Sequence, residues 1–413
     1  MRLRKRAIGL LIGAGVLFFL GTNVQAGWLF VLAAMLLGAV ITGFVLPARS
    51  TRGIDVTRRA PDRVHQGEEP LVDVIVRGGR RGTRRGLILH DRFLEAANLW
   101  VGTVRPGERV EVTTRRVARR RGTHAPTSVS VRSAAPFGVA ERRRRVEVGG
   151  ESTLVLPAVE PLGPLPFVQP VSTSEIAMHT APRRGQGPEY LGVREYRPGD
   201  SMRHVHWAST ARTGVMMVRE LEQEQTRKLA IVIDASRDDE AAGEAFTPLD
   251  RVCSAAASIA LAALAQGHGA RLVTGSSDDG ELDVLARASD DELLEHLALL
   301  RPVARARPFA AVVADVAPAL RGTETVVLVF PTWPDNDAEH LAPAVQAVAE
   351  SIGTVVAIPV MLDRGAARGV SSEERLAGLV QRLRAAGASV HAWRLGASLS
   401  AALGEAPLEA VSR

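Results

Sequence analysis

Two uncharged apolar runs near the start of the chain, residues 7–22 and 27–46, constrain it more than any other feature. The second has 20 residues, enough to cross a hydrocarbon core of ~30 Å as a helix. Asn23 and Gln25 separate the runs and suit a short polar turn, so the pair reads as a transmembrane helical hairpin. Trp28 falls where an indole is comfortable, at the water–lipid boundary. Basic residues flank only the outer ends: Arg2, Arg4, Lys5 and Arg6 before, Arg49, Arg52, Arg58 and Arg59 after. The positive-inside rule then places both ends in the cytoplasm, as in a multi-pass protein of the cell (inner) membrane. A competing reading takes the basic start, the first run and Val24-Gln25-Ala26 as a cleavable signal peptide. The second run would still deliver the body of the chain to the cytoplasm.

Charge divides the chain further. Residues 1–150 hold 27 Lys/Arg and 11 Asp/Glu, a net of +16, so the remaining residues carry −10 of the total +6. A basic front next to a membrane anchor suits anionic lipid head groups. Nucleic acid is the other partner that a basic front could bind. The arginine runs 119–121 and 142–145 lack the interleaved aromatics that base stacking needs, so lipid or solvent is the expected neighbour and no nucleic acid. The lone cysteine, Cys253, forms no internal disulfide and fits a reducing compartment; Val252 and Ala255 beside it mark a buried helix.

Residues 71–77, 86–89, 110–113 and 128–132 alternate apolar and polar and read as strands. Gly78-Gly79, Pro106-Gly107 and Pro136-Phe137-Gly138 punctuate them, as in an antiparallel β-sandwich. A Pro-rich stretch, 157–170, reads as an extended linker. Beyond Arg227 strands and helices alternate. Apolar strands are expected at 229–233, 271–274, 325–330, 354–359 and 390–394. Helices are expected after Thr247-Pro248, Ser289, Asp337 and Ser371. This alternation implies an α/β doubly wound parallel sheet. The parts are thus an anchor over 1–48, an all-β sandwich-like domain over 49–160, a linker and motif segment over 161–224, and the α/β domain over 225–413.

The motif segment, 185–220, holds both tyrosines, Tyr190 and Tyr196, together with Trp207. Pro198-Gly199 is a type II turn signal, and Asp200 is placed to cap a helix just after it. Arg194, Arg197, Arg203 and Arg212 lie among Glu189, Glu195 and Asp200, a composition suited to an ion-paired clasp. The run Arg194, Tyr196, Gly199, Asp200, Arg203, Val205, Trp207, Ala211, Arg212, Gly214 resembles the signature of the DUF58 family, with His206 where that pattern has an acid. The resemblance implies a membrane hairpin, a C-terminal domain similar to von Willebrand factor A, and partnership with a MoxR-type AAA+ ATPase in envelope-related assembly or protein maturation. After the first strand of the α/β domain, Asp234, Ser236 and Asp238 resemble that domain's D-x-S-x-S opening, which holds Mg²⁺ on oxygens. Asp238 departs from the second serine. Asp335 and Thr274 are weaker candidates for the later ligands.

No G-x-x-x-x-G-K-[ST] loop is present, and Pro188 spoils the G-x-G at 185–187 as a phosphate loop. The leading expectation is a membrane-anchored, non-enzymatic interaction or scaffold protein. One alternative is a metal-dependent hydrolase on Asp200, His204 and His206, in which histidines two apart share Zn²⁺ or Mn²⁺ if they lie on a strand. The other is nucleic-acid binding through the basic N-terminal half.

Overall fold

The structure, a computed structural model, describes residues 2–3, 5–125, 127–168, 190–196, 202, 205–221, 228–236, 246–275, 283–286, 289–302, 308–320, 325–332, 338–361, 372–394 and 396–404. The chain forms two compact units. One is Met1–Val159 with Asp238–Ala257 and Asp291–Arg301; the other is Glu160–Arg237 with Ser258–Asp290 and Pro302–Arg413. Residues 238–257 and 291–301, expected in the α/β domain, therefore cluster with the first unit.

The first unit opens with β1 (Arg2–Leu3), α1 (Lys5–Val24) and α2 (Gly27–Ser50). Both helices are long and apolar enough to cross a membrane. The buried positions of α1 are Ala7, Ala14 and Gly21, seven residues apart, and Ala33 and Gly43 are among those of α2. Such small residues let two backbones approach, which matters where lipid removes the hydrophobic drive for helices to pair. Outward-facing Ile12, Phe19, Met35 and Ile41 are all more than half exposed. The helix α2 runs on through Pro47 and ends where the Thr51 N–H donates to Pro47 O at 3.1 Å.

The next strands are β2 (Ile54–Arg59), β3 (Arg63–His65), β4 (Leu71–Gly78), β5 (Arg84–Asp91), β6 (Ala97–Val104), β7 (Arg109–Arg115), β8 (Gly122–His124), β9 (Ser128–Ser133), β10 (Ala140–Gly149) and β11 (Thr153–Leu156). The large sheet runs β6-β5-β9-β10-β2-β4-β7, with β1 added to β10; a small sheet runs β3-β11-β8. Neighbours in the large sheet are antiparallel except for a short parallel link between β10 and β2, which joins its two halves. Alternation sends Val72, Val74, Val76, Leu87, Leu89, Val129 and Val131 into one core. The 142–145 arginine run lies within β10, and Arg143, Arg144 and Arg145 are exposed.

The first unit also takes the start of α4 (Pro248–Ala265) and most of α5 (Asp290–Leu299). Although α4 also has the length and apolarity of a membrane span, it is largely buried. Thr247 and Asp250 form a capping box: Asp250 N donates to Thr247 Oγ1 at 3.1 Å and Thr247 N to Asp250 Oδ2 at 3.0 Å. Cys253 is fully buried on this helix, as expected.

The second unit contains β12 (Tyr190–Glu195), α3 (Trp207–Thr213), β13 (Met217–Leu221), β14 (Lys228–Ile233), β15 (Gly269–Thr274), β16 (Asp283–Ala286), α6 (Phe309–Ala319), β17 (Thr325–Pro331), α7 (Ala338–Ile352), β18 (Thr354–Val360), α8 (Ser372–Ala385), β19 (Ser389–Val390) and α9 (Leu399–Ala402). Its main sheet runs β16-β15-β14-β17-β18-β19. All neighbours are parallel except β16, antiparallel to β15 at the edge. Numbered within the sheet this order is 3-2-1-4-5-6, that of a doubly wound α/β fold. The inner strands are unbroken apolar runs because both faces are covered. Several elements depart from the sequence expectation, the unforeseen β16 and α9 among them. The helix α6 starts at Pro308 without a side-chain cap and is held by buried Val312, Val313 and Val316. The strand expected at 390–394 is instead the two-residue β19 plus a bridge between Val360 and Trp393.

The stretch expected as a linker is anchored where it is described. Leu165 is buried, and the Glu160 carboxylate accepts Leu399 N at 2.7 Å and Ser400 N at 2.9 Å, capping α9.

Candidate functional site

The motif segment is a β-hairpin with a short helix in its connection. Arg194 pairs with Val218 and Glu195 with Met217 across β12 and β13, and Tyr196 N donates to Met216 O at 2.8 Å. Val205 forms an isolated bridge with Val218, and both are buried, which pins the connection onto β13. His206 N then donates to Met217 O at 2.8 Å.

His206 caps the helix Trp207–Thr213 of this segment. Its Nδ1 accepts from Ser209 N at 3.2 Å and lies 2.8 Å from Ser209 Oγ. The helix closes at Gly214, whose φ of 72° puts it in the left-handed region, with its N–H on Thr210 O. Thr210 Oγ1 receives the Met217 N–H at 2.9 Å, tying helix to strand. Arg212 lies exposed in the last turn, where a cation suits the helix dipole. Trp207 stands out of the scaffold, 64% exposed, with Met202 and Val215 also exposed.

Of the expected clasp, Gly199, Asp200 and Arg203 lie outside the described residues, as do Pro198, His204 and the side chains of Tyr190 and Arg194. The Nδ1 of His206 serves a cap, so a cation shared with His204 would be held through Nε2.

The second candidate lies at the C-terminal end of β14. The strand order reverses between β14 and β17, and doubly wound sheets bind ligands outside such a reversal. Asp234 sits there, 4% exposed, with its N–H on Val329 O at 3.0 Å. Its Oδ1 accepts Ser236 N at 2.9 Å, an Asx turn that shapes the loop. Thr274 is buried on β15 opposite Ile233, the residue before Asp234. Asp238 and Asp335 lie outside the described residues. Among the described residues, no three His, Cys, Asp or Glu side chains gather as a metal site. Asp234 and Ser236 bring a carboxylate and a hydroxyl to one turn, donors of the kind a hard cation takes, but an incomplete shell by themselves.

Sequence reasoning missed the buried charges of the first unit. Asp91, on β5, meets Arg58 at 2.7 Å and Arg116 at 3.4 Å, with all three side chains at most 2% exposed. The Arg58 guanidinium also stacks over Phe93, 4.1 Å from its centroid. Burial pulls the Arg116 guanidinium below its ordinary value, opposed chiefly by Asp91. Arg121, expected to face lipid or solvent, is instead turned inward. It donates to Asp250 and to the Leu297 and Leu300 carbonyls. Nothing in local spacing distinguishes these arginines from the exposed ones.

The family model described as "Protein of unknown function DUF58" matches residues 192–364. The DUF58 match begins inside β12 and ends just beyond β18, so it takes in the hairpin, the Asp234 loop and most of the α/β sheet. Among solved structures, the SpRpn10 VWA domain is similar over 44% of this chain and 96% of that one, at 12% identity and a TM-score of 0.30. Comparison with curated proteins gives no match.

Proposed function

We propose that this chain is a membrane-tethered, non-enzymatic interaction protein whose DUF58 region is a von Willebrand factor A-like docking platform. The observation that carries the reading is the exposed indole of Trp207 on a backbone fixed by β12, β13 and caps at both helix ends. A large aromatic held rigidly in solvent is the kind of group that anchors a protein interface. The apolar hairpin and its outer basic flanks support a tether in the cell membrane with the soluble parts on the cytoplasmic side. The partner that the DUF58 resemblance implies is a MoxR-type AAA+ ATPase, acting in envelope-related assembly or protein maturation. Such a partner would also supply the nucleotide chemistry.

Crosslinked affinity purification from membranes tests this. The wild-type chain should recover an AAA+ ATPase, and Trp207→Ala, a change at an exposed position, should reduce recovery at least tenfold. Equal recovery by the variant, or turnover of a small molecule by the purified chain, overturns the reading. Any Mg²⁺ would be held by Asp234 and Ser236 within a largely aqueous shell. Titration of the full chain with Mg²⁺ into the millimolar range, beside Asp234→Asn, tests that part.

A further inference from the structure

The hairpin and the β-domain of the first unit share a small apolar cluster. Val139 packs with Ala7 of α1 and Val40 of α2, and Leu10 and Phe44 border them. The approach is very close: a β-carbon on Gly43 would lie 2.8 Å from Val139 Cβ. Backbone pairing secures the same corner, since Leu3 pairs with Ala140 and Arg2 with Glu141. We propose that the loop between β9 and β10, residues 134–139, enters the lipid boundary beside the hairpin, with Pro136 and Phe137 among acyl chains and nearby arginines among anionic head groups. This rests on the reading of α1 and α2 as membrane spans.

Depth along the helices carries the argument. The uncharged run of α2 ends at Leu46, so Gly43 and Val40 lie roughly 5 and 9 Å inside that end at 1.5 Å per residue. A run of 20 residues matches a hydrocarbon core of ~30 Å with little slack. Whatever packs on Val40 and Gly43 must therefore reach the acyl boundary. Val139 does so, and the two residues just before Gly138 do not share its burial. Pro136 is exposed and Phe137 is 49% exposed. Packing explains Val139 but leaves Pro136 and about half of Phe137 exposed at an apolar tip, and lipid is the neighbour that the adjacent helices provide.

Charge agrees with depth. The Arg6 guanidinium reaches the loop, its Nη1 3.3 Å from where a β-carbon on Gly138 would be. Arg49, Arg52 and Arg85 are exposed near the end of α2, and Arg85 N donates to Ser50 Oγ at 3.3 Å. An apolar tip ringed by cations is the pattern of a surface seated on an anionic leaflet.

The test uses the full chain in vesicles of phosphatidylcholine with about one-third phosphatidylglycerol. An environment-sensitive fluorophore is placed at Phe137→Cys, at Met35→Cys near the middle of the apolar run of α2, and at Arg115→Cys, at the end of β7 away from the hairpin. The wild type serves as blank because Cys253 is buried. The label at 35 should be quenched by deeply placed doxyl lipids. The label at 137 should be quenched at least twofold more by shallow than by deep doxyl lipids, and the label at 115 by neither. Quenching at 35 without quenching at 137 overturns this inference and leaves the hairpin reading standing; no quenching at 35 overturns both. A second measurement needs no variant: photoactivatable lipid should crosslink the wild-type chain at 136–137, and an absence of adducts there, with adducts present on α1 and α2, counts against the proposal.

Discussion

Arg121 and Asp250 form an ion pair whose side chains are only 6% and 5% exposed. The Asp250 carboxylate also accepts Gln66 Nε2 at 2.9 Å and Thr247 N at 3.0 Å, while Arg121 serves two carbonyls at the end of α5. Removing one member of a buried pair strands the other charge and costs about 3–5 kcal/mol. Asp250→Ala should therefore lower the thermal midpoint of the purified chain far more than Glu373→Ala, which breaks an exposed pair with Arg394. Similar midpoints for the two variants would contradict the buried-pair assignment.

Two glycines of α2 separate packing from helix propensity. Alanine normally favours a helix over glycine by about 1 kcal/mol. Gly38 has nothing within 4 Å of an added β-carbon, so Gly38→Ala should be neutral or stabilising. Gly43→Ala meets Val139 and should destabilise by about 1–3 kcal/mol, as overpacked contacts do. Adding Val139→Ala should recover part of that loss. A thermal double-mutant cycle in detergent, with the 43/139 pair coupled and Gly38 silent, checks it.

The cluster of Arg58, Asp91 and Arg116 carries one more positive than negative charge. Asp91→Ala leaves two buried guanidiniums without their carboxylate and should cost about 3–5 kcal/mol. Arg58→Met leaves Asp91 paired with Arg116 and should cost less, even with the stack on Phe93 lost. The order of the two unfolding midpoints is the measurement; a reversed order would show that the stack outweighs the charge.

How much was legible in the sequence depends on how local each signal is. Hydropathy over 20 residues found α1 and α2, and apolar runs found β14, β17 and β18, because burial on both faces leaves an uninterrupted pattern. Thr247-Pro248 marked the start of α4 because a cap is a contact between near neighbours. The missing pieces depend on distant partners. Arg121 looks like Arg119 and Arg120 in sequence, and only a helix 129 residues away makes it a buried donor. Likewise α6 has no capping signal, and its buried valines, with Phe309 against Phe330, hold it on the sheet. At the candidate site, the apolar run at 229–233 located Asp234, whereas the capping role of His206 needed the Ser209 geometry.

Glu95 supplies a pH dependence. Bonds from the Arg119 guanidinium, at 2.8 Å, and from Val117 N hold its carboxyl below the ordinary carboxylate range. A carboxyl lowered on folding contributes stability above its unfolded value, about 4.3, and loses it as pH falls through the lower folded value. The wild type should therefore lose stability relative to Glu95→Gln on acidification below that range. Glu95 is partly exposed, so the difference should stay below about 1 kcal/mol. Parallel acid titrations of the two chains, followed by tryptophan fluorescence, would show either the gap closing as pH falls or no such trend.

His206 can be a helix cap or a metal ligand, and one substitution separates the two. As a cap it accepts the Ser209 N–H, and loss of a cap costs about 1 kcal/mol. Asparagine is among the best capping residues, so His206→Asn should retain stability while His206→Ala loses it. If His206 held Zn²⁺ with His204, both substitutions would abolish metal uptake, and added Zn²⁺ would raise the wild-type midpoint through preferential binding to the folded chain. A role confined to capping predicts a midpoint indifferent to Zn²⁺ and rescued by asparagine. A zinc-dependent rise lost in both variants would favour the hydrolase alternative.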